Sequence, residues 1–93
     1  MRILNFGSLN IDYVYAVDAF LRPGETKAAQ RLMVNCGGKG LNQSIAAAKA
    51  GNTVWHAGLL GEAAGMLRDK LTQNGVDVRL LTPVAEAAGH AII

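Results

Sequence analysis

The stretch Gly37-Gly38-Lys39-Gly40-Leu41-Asn42-Gln43 decides the fold, because it is a glycine loop opening directly onto a helix. Downstream of the loop, Leu41, Ile45 and Ala48 fall at i, i+4 and i+7, and Gly51-Asn52 supplies a stop, so the spacing predicts a helix over 41–50. Most of its other residues are Ala, and small side chains on most faces suit close packing against a sheet. Working outward, residues 53–60 read as a buried strand. Residues 63–74 read as a second helix, with Leu67 and Leu71 at i, i+4 and Gly75 at its end. Residues 76–81 read as a further strand with Pro83 as a breaker, 85–89 as a compositionally simple turn, and 90–93 as an apolar strand left unfinished. On the N-terminal side, 3–6, 11–17 and 28–35 read as strands, with a turn at Arg22-Pro23-Gly24-Glu25. Strand, glycine loop, helix, strand, helix, strand is the rhythm of an α/β fold, a parallel sheet with flanking helices. The strands before Gly37 break that rhythm and are predicted to form a small antiparallel side sheet.

Composition narrows the function. Of 93 residues, 51% are hydrophobic and only 17% charged, against a usual charged share of about 25%, which excludes intrinsic disorder. The apolar content exceeds what a free-standing domain of this length buries, so further covering layers are expected. Nine basic and seven acidic residues are scattered along the chain, and Glu25 interrupts the grouping of Arg22, Lys27 and Arg31. No nucleic-acid footprint results. Cys36 is the single cysteine, which excludes an internal disulfide and a multi-cysteine zinc site and fits a reducing cytoplasm. Asn5, Asn10 and Asp12 interrupt any signal-peptide core and no apolar span of about 18 residues exists, so neither secretion nor a membrane span is expected.

The glycine loop is neither of two common phosphate loops. Met33 stands where a Walker loop needs its first glycine and Gly40 where it needs Ser or Thr; a dinucleotide fingerprint begun at Gly38 meets Gln43 in place of its last glycine. What remains is a backbone that permits close approach at Gly38 and Gly40, an ammonium donor at Lys39, and an amide at Asn42 that both donates and accepts. Such a set suits hydroxyl groups; the alternative is a tight strand-to-helix turn with a solvated lysine. Asn10 and Asp12 add to it: on an extended chain their side chains share one face while Leu9, Ile11 and Tyr13 point away. The alternative for this pair is a turn after Gly7-Ser8.

Taken together, Gly7-Ser8-Leu9-Asn10-Ile11-Asp12, Pro23-Gly24-Glu25-Thr26 and Gly37-Gly38-Lys39-Gly40-Leu41-Asn42-Gln43 resemble, in order and spacing, the N-terminal part of the ribokinase-like carbohydrate kinases. Gly75-Val76-Asp77 and Gly89-His90-Ala91-Ile92-Ile93 extend the likeness over essentially the whole chain. The resemblance implies that residues 1–93 are the N-terminal part of a single sugar kinase domain, with lid strands over about 11–36 and the rest core α/β. It implies an ATP-dependent transfer of the γ-phosphoryl group to a sugar hydroxyl, ribose-like sugars being favoured. Asn10, Asp12, Gly38, Lys39, Gly40 and Asn42 are the substrate-binding residues it carries over. It also implies a homodimer contact through the lid strands, with Tyr13, Tyr15 or Phe20 in lid core or interface. The catalytic residues, the sites for ATP and Mg²⁺, and a monovalent-cation site are expected beyond Ile93. The 93 residues alone are therefore expected to be inactive. A non-catalytic sugar-binding or dimerisation module of the same fold is the alternative.

This sequence departs from the family where Gly-x-Asp is usual: it reads Gly61-Glu62-Ala63-Ala64-Gly65, one residue shorter and without the Asp, for which Glu62 is a candidate stand-in. His56 and His90 lack a second ligand at metal spacing and read as structural histidines. Cys36 reads as a small buried hydrophobe, and Trp55 as core or as covered by further chain.

Overall fold

The computed structural model describes every residue except Ala63. In chain order the elements are β1 (Arg2–Phe6), β2 (Asn10–Ala16), β3 (Arg31–Gly37), α1 (Lys39–Lys49), β4 (Thr53–Glu62), α2 (Gly65–Gln73), β5 (Leu81–Ala87) and β6 (Gly89–Ile92). They form two three-stranded sheets. In the first, β1, β4 and β5 run parallel in that order. In the second, β2 lies between β3, to which it is antiparallel, and β6, to which it is parallel.

The helices cover one face of the first sheet. Alternation decides which residues reach them: Ile3 stands beside Val54 and Asn5 beside His56 on the covered face, whereas Leu4 stands beside Trp55 on the other. Leu41, Val54, Leu67 and Leu71 are at most 1% exposed and form the centre of the core, and Leu9, just before β2, and Ile11 of β2 join it. The opposite face is open: Leu4, Phe6 and Leu59 are 64%, 80% and 67% exposed. Parallel sheets are ordinarily covered on both faces, so this one is half dressed.

Both helices end as the glycines predict. After α1, Gly51 adopts φ 93°, its amide donates to the Ala48 carbonyl and that of Asn52 to the Ala47 carbonyl. After α2, Gly75 adopts φ 79°, its amide donates to Thr72 and that of Val76 to Leu71. This is the Schellman arrangement, and in α2 it is sealed by contact between two buried residues, Val76 and Leu71.

The α/β class and both helices stand as read, with shifts of one or two residues at their ends; the expected first residue of the second helix, Ala63, lies outside the described residues. Four readings need correction. The side sheet is mixed and not purely antiparallel, because the terminal apolar stretch pairs along β2 as β6. Residues 28–30 are not strand, and β3 runs instead from Arg31 to Gly37. Of the strand placed at 76–81, residues 76–80 hold only a single bridge between Asp77 and Trp55, since Val76 is spent on the helix cap, and Leu81 begins β5. The true strand, β5, contains the supposed breaker Pro83 and most of the supposed turn at 85–89. Proline is tolerated there because β5 pairs with β4 on one side only and lies at the sheet edge.

Gly51 and Gly65 both have open space where a Cβ would stand, but only Gly51 has a positive φ. Gly51→Ala is therefore expected to lower stability by about 1 kcal/mol, and Gly65→Ala to leave it unchanged or raise it by up to about 1 kcal/mol. Equilibrium denaturant unfolding of the two variants checks both signs.

Candidate functional site

The candidate site lies where the second sheet meets the start of α1. Asn10 and Asp12 lie two residues apart on β2 and share one face, with Leu9 and Ile11 turned into the core. Strand register sets their neighbours: Asn10 pairs with Gly37 of β3 and Gly89 of β6, and Asp12 with Asn35 and Ala91. The glycines make room. A Cβ on Gly37 would come within 2.8 Å of the Asp12 carboxyl carbon, and one on Gly89 within 2.6 Å of the Asn10 side-chain oxygen. The two polar side chains thus share a face but lean over different neighbours, Asp12 toward β3 and Asn10 toward β6.

Across from them, Gly38 holds the N-cap position of α1 with φ 103° and ψ 140°, and among the described residues no side chain caps the helix. Backbone does that work: the Leu41 amide donates to the Ser8 carbonyl at 3.1 Å. This closeness depends on missing side chains. A Cβ on Gly40 would strike the backbone of Gly7 and Ser8, and one on Gly38 would lie 2.6 Å from the Ser8 carbonyl oxygen. The close approach that Gly38 and Gly40 permit on their Cα side is therefore that of residues 7–10 of the chain itself. Lys39 and Asn42 are exposed on the first turn of α1, three residues apart and so on neighbouring faces.

Beneath this junction runs a buried polar chain. His56 and Ser44 are 0% exposed. His56 Nε2 lies 3.0 Å from the Gly7 carbonyl and its Nδ1 2.6 Å from Ser44 Oγ. Asn5 Nδ2 donates both to Ser44 Oγ and to the Gly40 carbonyl, each at 2.9 Å. A carbonyl only accepts, so Nε2 carries the proton and Ser44 donates to Nδ1. The reading of His56 as a satisfied structural histidine holds.

The remaining candidates lie elsewhere. Glu62 is exposed and borders a cleft of about 290 Å³ with Ile11, Tyr13 and His90. Those three residues occupy the face of the second sheet opposite Asn10 and Asp12, so Glu62 does not join the polar face. His90 is exposed and meets Tyr13 edge-on at 6.0 Å. Phe20 is 95% exposed and, with Tyr15, Leu21 and Ile92, borders an apolar groove of about 550 Å³. Cys36 is half-buried, with Sγ 3.5 Å from the Met66 carbonyl. Burial pushes its thiol up, nearby Asp12 and Asp69 add to the rise, and Lys70 opposes it. Sequence reasoning missed Asn35, whose place beside Asp12 depends on strand register, and the Asn5, Ser44 and His56 chain, which three separate elements assemble.

Two outcomes are expected. Gly40→Ala must part α1 from residues 7 and 8 and should cost roughly 1–3 kcal/mol, read by thermal or denaturant unfolding. Cys36 stays protonated to higher pH than an unfolded cysteine, so iodoacetamide should modify the folded chain at pH 8 several-fold more slowly than the urea-unfolded chain.

Comparison with known proteins bears on the family and the fold. The family model described as pfkB family carbohydrate kinase matches residues 2–90. Ribokinase of Haemophilus influenzae is 37% identical over 90 residues, which cover 94% of this chain and 29% of that protein. The crystal structure of ribokinase from Cryptococcus neoformans var. grubii serotype A in complex with ADP superposes with a TM-score of 0.85 at 37% identity, over 98% of this chain and 29% of that one. That of Arabidopsis thaliana ribokinase complexed with ribose and ATP gives a TM-score of 0.77 at 28% identity, over 96% of this chain and 30% of that one. The chain thus spans less than a third of the length of these relatives.

Proposed function

The chain belongs to the pfkB family of carbohydrate kinases, and from that premise we propose that its 93 residues form the sugar-holding part of an ATP-dependent sugar kinase. The observation that carries the proposal is the polar face itself: two segments about thirty residues apart meet through glycines and bring Asn10 and Asp12 to the same junction as Lys39 and Asn42. In this reading Asp12 accepts hydrogen bonds from sugar hydroxyls, Asn10 and Asn42 each donate or accept one, and Lys39 donates. The relatives' names favour ribose as the sugar.

Among the described residues no three His, Cys, Asp or Glu side chains come together as metal ligands. The donors and acceptors of the polar face, one carboxylate with amides and an ammonium, suit hydroxyl groups. We place ATP, Mg²⁺, a monovalent cation and the group that removes the hydroxyl proton in parts of the protein outside these residues. Phosphoryl transfer depends on positioning and on electrostatic stabilisation, and this segment contributes positioning. We further propose that the second sheet is a lid, excluding water when closed, and that the apolar groove at Tyr15, Phe20 and Ile92 forms the homodimer contact. Among the described residues no helix is long and apolar enough to cross a membrane. A cytoplasmic place, where ATP is available and Cys36 stays reduced, completes the reading.

In the complete kinase carrying this segment, Asp12→Ala or Asn42→Ala is expected to raise the sugar KM by roughly 10- to 100-fold, the loss of hydrogen bonds to hydroxyls, with the ATP KM nearly unchanged. Steady-state kinetics with each substrate varied in turn measure this. Sugar KM values equal to the parent's in both variants would remove the site assignment.

A further inference from the structure

Asn5, Ser44 and His56 lie on three different elements, β1, α1 and β4, and their hydrogen bonds run in one direction without a break. Asn5 donates to Ser44, Ser44 to His56, and His56 to the Gly7 carbonyl, while the second amide hydrogen of Asn5 goes to the Gly40 carbonyl. Both ends of the chain are therefore backbone carbonyls, and they belong to two glycines so close that a Cβ on Gly7 would lie 2.7 Å from the Gly40 Cα and one on Gly40 2.6 Å from the Gly7 Cα. Among the described residues no buried side-chain nitrogen or oxygen lacks a partner. Apolar side chains would fill the same volume, so packing alone does not require these three. What the polar set adds is direction: a hydrogen bond fixes where each carbonyl points, which dispersion contacts do not.

Immediately after Gly7 come Ser8, whose carbonyl receives the Leu41 amide, and then Asn10 and Asp12. Gly40 lies between Lys39 and Asn42. We propose that Asn5, Ser44 and His56 are positioning residues that fix residues 7–10 against residues 38–42 and so set the affinity of the polar face for its sugar. The inference rests on the reading of that face as a sugar site.

The test uses the complete kinase with two substitutions at one position. A glutamine amide reaches the place of the imidazole Nε2 and keeps the bond to Gly7; an asparagine amide reaches only the place of Nδ1 and loses it. His56→Gln is expected to hold the sugar KM within about threefold of the parent and His56→Asn to raise it about tenfold or more, with the ATP KM within about twofold in both. Equal sugar KM values in the two variants, or sugar and ATP values moving together with thermal stability, would mean a merely structural role and overturn the proposal. If the histidine variants do not fold, Ser44→Ala is read by amide hydrogen exchange. The Leu41 amide is expected to exchange about tenfold faster or more, while amides in the middle of α2 are unchanged; an unchanged Leu41 amide overturns the proposal. A parent enzyme that phosphorylates no sugar shows itself before any substitution and sinks the functional reading on which the kinetic arm stands.

Discussion

The contact of Gly7 with Gly40 is the constraint from which the rest of this structure follows. It lets the end of a core strand and the first turn of a helix touch backbone to backbone, with less than a methyl group's space between them. From that contact come the angle at which α1 leaves the loop, the bond from Leu41 to Ser8 that substitutes for a side-chain cap, and the short path by which the chain turns into β2. Few elements of the fold are as intolerant of an added atom. The buried polar chain below and the polar face above are two consequences of one approach, seen from opposite sides.

Much of this was legible because it depends on local chemistry. Gly51 and Gly75 mark the helix ends since only a residue without a Cβ adopts their backbone angles cheaply. The period of Leu67 and Leu71 marks a buried helical stripe, and both are fully buried. Asn10 and Asp12 could be placed on one face from the two-residue period of a strand alone. The failures are where a non-local partner decides. Val76 and Val78 look like a strand, but a helix cap and a turn claim them. Pro83 looks like a breaker, yet an edge position spares it the missing hydrogen bond. Asn5, Ser44 and His56 each have an ordinary reading in their own element, and only their convergence is informative.

The excess of apolar residues noted in the sequence also has an address. It lies on the uncovered face of the parallel sheet, at Leu4, Phe6 and Leu59, and on the second sheet around Tyr15 and Ile92. Burying a side chain of this size stabilises by about 1.5–3 kcal/mol, so leaving several exposed is a substantial sacrifice for a chain of this length. Relatives more than three times as long have the material for another layer.

The second sheet joins the body through residues 7–9, Gly38 and Ala88, and these three links end on one row, Gly37, Asn10 and Gly89, which lie side by side across the strands. That row is geometrically an axle. Asp12 is two residues from it, about 7 Å, whereas the pair of Ala16 with Arg31 is six residues out, about 20 Å. A rotation of roughly ten degrees about the row would carry the outer end by about 3–4 Å but Asp12 by only about 1 Å. In the proposed lid, closure about this row would carry the apolar rim of Tyr15, Phe20 and Ile92 through most of the movement, while Asn10 and Asp12, beside the axle, would hardly shift.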